Sequence, residues 1–72
     1  DMHDVVVTGP LPLGAFLKLT GVAATGGQAK VIVQSGAVSV NGATETRRGR
    51  TLGIGDVVRV GTREYRVWSS PD

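Results

Sequence analysis

The chain has no cysteine, so neither a disulfide frame nor a thiolate metal site can be built from it. It has one histidine, His3, and no second imidazole to share a metal. Aromatic residues are scarce: Phe16, Tyr65 and Trp68 are the full set, so a core must rest mainly on leucine, valine and isoleucine. No apolar run approaches the roughly 20 residues needed to span a bilayer. Val5-Val6-Val7 is too short for a signal-peptide core and has no basic lead-in. No glycine-rich stretch ends in the Gly-Lys-Ser/Thr of a phosphate-cradling loop. Catalysis is equally short of parts. There is no cysteine nucleophile, no histidine–carboxylate pair beyond the first four residues, which are expected to be mobile, and no base beside Ser35, Ser39 or the threonines. These absences exclude most enzyme classes, and the expectation is a chain with no catalytic residue, no metal, no cofactor and no small-molecule substrate.

What remains fits one small domain. Seventy-two residues lie near the lower limit for burying a core without staples. A hydrophobic content of 40% is sufficient for that core and argues against disorder. The expectation is a small soluble, cytoplasmic domain spanning residues 1–72, with its centre at about 11–60 and a C-terminal hairpin at 57–68.

The net charge is only +2, but it is unevenly placed. Between Leu13 and Arg50 stand Lys18, Lys30, Arg47, Arg48 and Arg50 against Glu45 alone. The remainder carries Arg59, Arg63 and Arg66 against Asp1, Asp4, Asp56, Glu64 and Asp72. Positive charge is concentrated where the chain is least regular, as in a site that attracts a polyanion. A solvated basic surface without a partner would look the same by charge alone.

Taken in order, Val5-Val6-Val7 reads as a short edge strand closed by Gly9-Pro10. Leu13, Phe16 and Leu17 fall at i, i+3 and i+4, one face of a helix. Pro12 suits its first turn and Gly21 its C-cap. Gly14 weakens that helix by about 1 kcal/mol relative to alanine, so either tertiary packing supports it or something approaches its backbone closely. Thr25-Gly26-Gly27-Gln28 has the form of a capping box. A second helix follows to about Ser35, with Ala29, Ile32 and Val33 inward and Gly36 ending it. Val38-Ser39-Val40 alternates as a strand and meets Asn41-Gly42, a strong hairpin signal, with Ala43 to Thr46 as the return. Leu52 and Ile54 are candidate apolar anchors. Gly55-Asp56 is a turn in which Asp56 caps backbone N–H groups. Val57–Val60 and Glu64–Trp68 form a second hairpin around Gly61-Thr62, and the tail from Ser69 is expected to fray. Helices and strands segregate along the chain, which predicts an α+β class: two short N-terminal helices packed on a small antiparallel sheet.

The basic cluster is the candidate site. Arg47, Arg48 and Arg50 each carry a planar fork of donors matched to phosphate oxygens. Gly49 would release them from strand alternation and let all three face one side. Lys18 and Lys30, one on each helix, would extend the patch. Gly26 and Gly27 open the second helix with unpaired N–H groups that can hold an anion, or they only make a short turn. Gln28 and Asn41 could add polar contacts, although capping and turn formation already account for both. Trp68 and Tyr65 are stacking platforms or core and edge cover. Nothing has a base-reading pattern, so backbone or shape recognition is expected.

The motifs Leu13-Gly14-x-Phe16-Leu17-Lys18, Thr25-Gly26-Gly27-Gln28-Ala29-Lys30, Val38-x-Val40-Asn41-Gly42, Glu45-Thr46-Arg47-Arg48-Gly49-Arg50 and Gly55-Asp56-Val57-Val58, in this order, closely resemble the S-four RNA-binding domain, and in particular its short stand-alone bacterial members. The resemblance spans about Leu11 to Val60. It implies two helices on a small sheet, with structured RNA, ribosomal or transfer, bound along the helices and the first hairpin. By resemblance the RNA-binding residues would be Lys18, Gly27, Gln28, Lys30, Arg47, Arg48 and Arg50. Larger members open the first helix with an Arg-Leu-Asp type sequence and often start the second with a basic residue. Here Pro12-Leu13-Gly14 and Gly26-Gly27 stand instead, which shifts the expected charge onto the hairpin arginines. Fused members carry further catalytic or ribosomal domains; a chain without them is expected to bind and not catalyse, associated with the ribosome. The competing expectation is a small protein-interaction module of β-grasp type. Such sulfur carriers end in Gly-Gly, whereas this sequence ends Ser70-Pro71-Asp72.

Overall fold

A computed structural model describes residues 2–69. The chain runs β1 (Met2–Val7), β2 (Leu11–Pro12), α1 (Leu13–Thr20), α2 (Gly26–Gln34), β3 (Val38–Val40), β4 (Ala43–Thr44), β5 (Thr51–Leu52), β6 (Val57–Val60) and β7 (Arg63–Ser69). Strands β1-β7-β6-β3-β4 form one sheet, and β2 pairs with β5 in a second, two-stranded one.

Local chemistry explains most element ends. Gly21 closes α1 in the left-handed region (φ 83°), its N–H donating to the Lys18 carbonyl. Pro12 is the N-cap of α1, one position before the first turn. Thr25 caps α2, its Oγ1 accepting from Gln28 N at 3.1 Å. The reciprocal bond comes from Ala24 N, one residue before the cap, to Gln28 Oε1. Asn41 (φ 53°) and Gly42 (φ 86°) both adopt positive φ, the requirement of a type I′ hairpin turn, and they join Val40 to Ala43. Gly61-Thr62 likewise joins Val60 to Arg63.

The class is the expected α+β, with two differences of arrangement. The helices follow a strand instead of opening the chain, and the sheet is mixed. β1 runs parallel to β7, from Met2 opposite Glu64 to Val7 opposite Ser69. The first residues described are therefore strand, and the mobile start expected from their polarity is replaced by edge pairing. Ser69 is the last residue of β7, and the rest of the tail expected to fray lies outside the described residues.

Inward side chains from both helices meet one face of the large sheet. Leu13, Phe16, Leu17, Ala29, Val33, Val38, Val40, Leu52, Val58, Tyr65 and Val67 are all buried. A fully buried side chain of this size contributes about 1.5–3 kcal/mol relative to exposure. Phe16 meets Tyr65 edge-on, with ring centroids 6.3 Å apart. Leu52 is a core residue as expected, but Ile54 is exposed and anchors nothing. The opposite sheet face carries no helix. There Asp4 and Arg66 lie side by side in register, as do Val6 and Trp68.

Candidate nucleic-acid interface

The basic loop is built around a carboxylate. Glu45 follows β4 and is 93% buried, having a relative exposure of 7%. Its Oε2 accepts from Thr46 N and Arg47 N, both at 3.1 Å, and from Arg47 Nε at 3.4 Å. Its Oε1 accepts from Arg50 Nη1 at 3.2 Å. The Arg47 backbone N–H is the main cause that holds the Glu45 carboxyl below its ordinary range, with the Arg50 and Arg47 side chains adding to it against partial desolvation. Arg50 N closes the turn on Arg47 O at 3.2 Å. The return strand therefore ends at Thr44, two residues short of the expected Thr46, because Glu45 turns inward and draws the following amides after it.

The loop is seated on the first helix. Helix α1 has no side-chain cap, and an α-helix start leaves N–H groups without internal partners. Leu13 N donates to Arg50 O at 2.8 Å and Gly14 N to Arg48 O at 2.9 Å. The carbonyls of the arginine loop thus cap α1. A Cβ on Gly14 would stand 3.5 Å from Arg48 Cβ and 3.6 Å from Arg48 O, so the loop lies on the helix with space for a methyl and little more. At its far end the loop is tied down by β5, where Leu52 pairs with Leu11 and Thr51 with Pro12.

Between α1, the start of α2 and this loop lies a groove of about 210 Å³, lined by Pro12, Gly14, Ala15, Lys18, Gly26, Ala29, Arg48 and Gly49. Lys18 and Arg48 are its cations. The floor is glycine and alanine, which brings backbone within reach of a ligand. Gly27, Gln28 and Lys30 are exposed on α2 and stand outside this lining, as do Arg47 and Arg50. The three arginines do not present equally: the Arg47 side chain is 82% exposed and that of Arg50 only 34%. Gln28 has its carbonyl oxygen engaged by Ala24.

Asn41 takes the structural course. Its Oδ1 accepts from Val57 N at 2.9 Å and its Nδ2 donates to Asp56 Oδ1 at 3.0 Å. Asp56 Oδ2 accepts from Gly53 N at 2.9 Å, the capping role expected of it. The Gly53 N–H leads the causes that lower the Asp56 pKa, followed by Asn41. This pair locks the first hairpin turn to the start of β6. Tyr65 is core, while Trp68 is exposed with Arg66 over its ring at 4.7 Å. A larger, shallower hollow lies elsewhere, among His3, Asp4, Val5, Val6, Leu19, Thr20, Arg63 and Tyr65. It shares no residue with the basic groove.

Sequence reasoning treated Glu45 as a stray opposing charge. Its signal was available, since a lone carboxylate two and five positions before arginines is placed to hold them. What was not available was its burial.

Two helices on a mixed sheet, with an arginine loop capping the first helix, define a small α+β module carrying a basic groove. The S4 domain family matches residues 6–68, and the chain belongs to that family. It is similar to the probable ribosome maturation protein RlbA of Bacillus subtilis (strain 168), with 46% identity over 50 residues that cover 69% of this chain and 70% of the relative. Among solved structures it resembles YbcJ from E. coli, described as having a motif involved in RNA-binding. The TM-score is 0.66 at 29% identity, covering 94% of this chain and 86% of that one. It also shares the fold of the 30S ribosomal protein S4e from Thermoplasma acidophilum. There the TM-score is 0.61 at 23% identity, covering 83% of this chain and 32% of that one.

Proposed function

We propose that this chain is a non-catalytic RNA-binding module acting on structured RNA, ribosomal or transfer, in the cytoplasm and in association with the ribosome. It works as one S4 unit whose RNA surface comprises Lys18, Gly27, Gln28, Lys30, Arg47, Arg48 and Arg50. The observation that carries this reading is the groove in which Lys18 and Arg48 flank a floor of glycine and alanine. Cations at the rim meet phosphate oxygens, and the bare floor admits a sugar–phosphate backbone without side-chain obstruction. The printed description of YbcJ, which concerns RNA-binding, and the ribosome maturation role in the name of the Bacillus relative support it. Such a surface reads shape and charge, so affinity should fall steeply with salt.

The test is RNA binding across a salt titration for the wild type and for Arg47→Ala/Arg48→Ala/Arg50→Ala. The wild-type slope of log affinity against log salt should be about −0.7 to −0.9 per phosphate neutralised, and the triple variant should lose affinity for all sequences with a flatter slope. Unchanged affinity and slope in a folded triple variant would remove the loop from the interface. Absence of wild-type binding to bulk RNA, with a protein captured after nuclease treatment, would overturn the RNA reading in favour of a protein-interaction module.

A further inference from the structure

We infer that Glu45 is a positioning residue for the RNA surface, strengthening binding although its own charge opposes it. By long-range electrostatics alone, a carboxylate among three arginines weakens attraction to a polyanion, and its removal should help. The geometry argues the reverse. Glu45 is the buried polar or charged residue among those described, and its two oxygens gather two backbone N–H groups and two guanidinium groups of the loop. Those bonds fix Thr46, Arg47 and Arg50. The Arg48 and Arg50 carbonyls then cap Gly14 and Leu13 of α1, which sets Arg48 at the groove that it shares with Lys18.

Three arginines within four positions repel one another, and an anion among them offsets that repulsion. With Glu45 inside, Arg47 and Arg50 are held by their Nε and Nη1 donors. Arg48 has no carboxylate partner among the described ion pairs. The carboxylate gives up one unit of net charge to hold a loop that would otherwise have to be ordered when RNA arrives, and ordering on binding costs affinity.

Glu45→Gln tests this with the smallest change of shape. A glutamine amide offers one acceptor oxygen where the carboxylate offers two, so either orientation turns an NH2 group towards N–H donors of the loop. The control is Glu64→Gln on β7, which adds the same charge away from the groove. The affinity measurement, with bulk bacterial ribosomal RNA as the probe, rests on the RNA-binding reading. Glu45→Gln should bind about tenfold more weakly, the factor for one lost charge-assisted hydrogen bond, with the wild-type salt slope, because the loop makes the same phosphate contacts once it is ordered. Glu64→Gln should bind as well as the wild type or slightly better. Binding by Glu45→Gln as tight as the wild type, or tighter, overturns the inference.

Amide hydrogen exchange without RNA gives an independent readout. Thr46, Arg47, Leu13 and Gly14 should exchange about tenfold faster or more in Glu45→Gln, while Val40 and Val58 keep their protection. If the loop and α1 amides stay protected, Glu45 positions nothing. If they lose protection while the wild type fails to bind RNA, the loop clamp stands and the RNA reading falls.

Discussion

Gly14 gives the sharpest test of how the loop is seated. It lies in the second position of α1, is not in the positive-φ region, and would present a Cβ at 3.5 Å from Arg48 Cβ, 3.6 Å from Arg48 O and 3.9 Å from Ala29 Cβ. Those are ordinary van der Waals separations, so alanine fits without displacement. Glycine costs about 1 kcal/mol against alanine in a helix interior, and about half of that is a fair share for the first turn. A buried methyl adds about 0.8 kcal/mol of transfer free energy. Gly14→Ala should therefore stabilise the fold by about 1 kcal/mol, which raises Tm by roughly 4–8 °C in a domain of this size. Gly14→Leu adds three more carbons to a space already bounded by Arg48 and Ala29. The loop must lift, and the Gly14 N to Arg48 O bond of 2.9 Å is strained or lost. The expected cost is about 1–3 kcal/mol together with weaker RNA binding. Thermal melts and RNA titrations on both variants measure these effects. A destabilised alanine variant, or a leucine variant with wild-type stability and affinity, would refute the seating of the loop on this helix.

Three further outcomes follow from the same geometry. Asn41→Ala removes the bonds to Val57 N and Asp56 and forces a methyl side chain into a φ of 53°; it should cost about 1–3 kcal/mol by denaturant melts, and Asn41→Gly should recover only the backbone part. Glu45, Asp56 and Asp4 all have carboxyl pKa values held below the ordinary 4.5 and 3.8, so each stabilises the fold above the unfolded value and loses that contribution as pH falls through the depressed folded one. Tm should be flat above about pH 5 and decline progressively in more acid solution, and a Tm independent of pH down to about 2.5 would refute this. Trp68→Ala, on the sheet face remote from α1, should lower stability by about 1 kcal/mol or less through the lost Arg66 contact and leave RNA affinity intact; a large loss of binding would bring that face into the interface.

Much of the fold was legible from the sequence because it is decided over short spans. The helices, Thr25 with Gln28, the left-handed Gly21 and Gly36 and both two-residue hairpin turns each depend on residues within a few positions of one another. The S4 membership was legible too, because the motif spacings survive in one dimension. Ile54 misled because an apolar residue beside a glycine turn has no local signal for which side it faces. β1 was legible as a short edge strand at Val5-Val6-Val7, but its parallel pairing was not, because its partner lies across the whole chain. Asp4 meets Arg66, 62 positions away, and no hydrophobic period records such a pairing.

The candidate site divides in the same way. Clustering of Arg47, Arg48 and Arg50, and the presence of Lys18 and Lys30 on two helices, are properties of the sequence. Which of these cations line one groove, that Glu45 turns inward, and that the loop carbonyls cap α1 at Gly14 were decided only by tertiary structure. The physical reason is that a hydrogen bond or a buried charge takes its energy from whatever surrounds it. For Gly14 those surroundings are the carbonyl of Arg48, more than 30 residues away in the chain; the bonds of Glu45 are local, and what the rest of the fold adds there is burial.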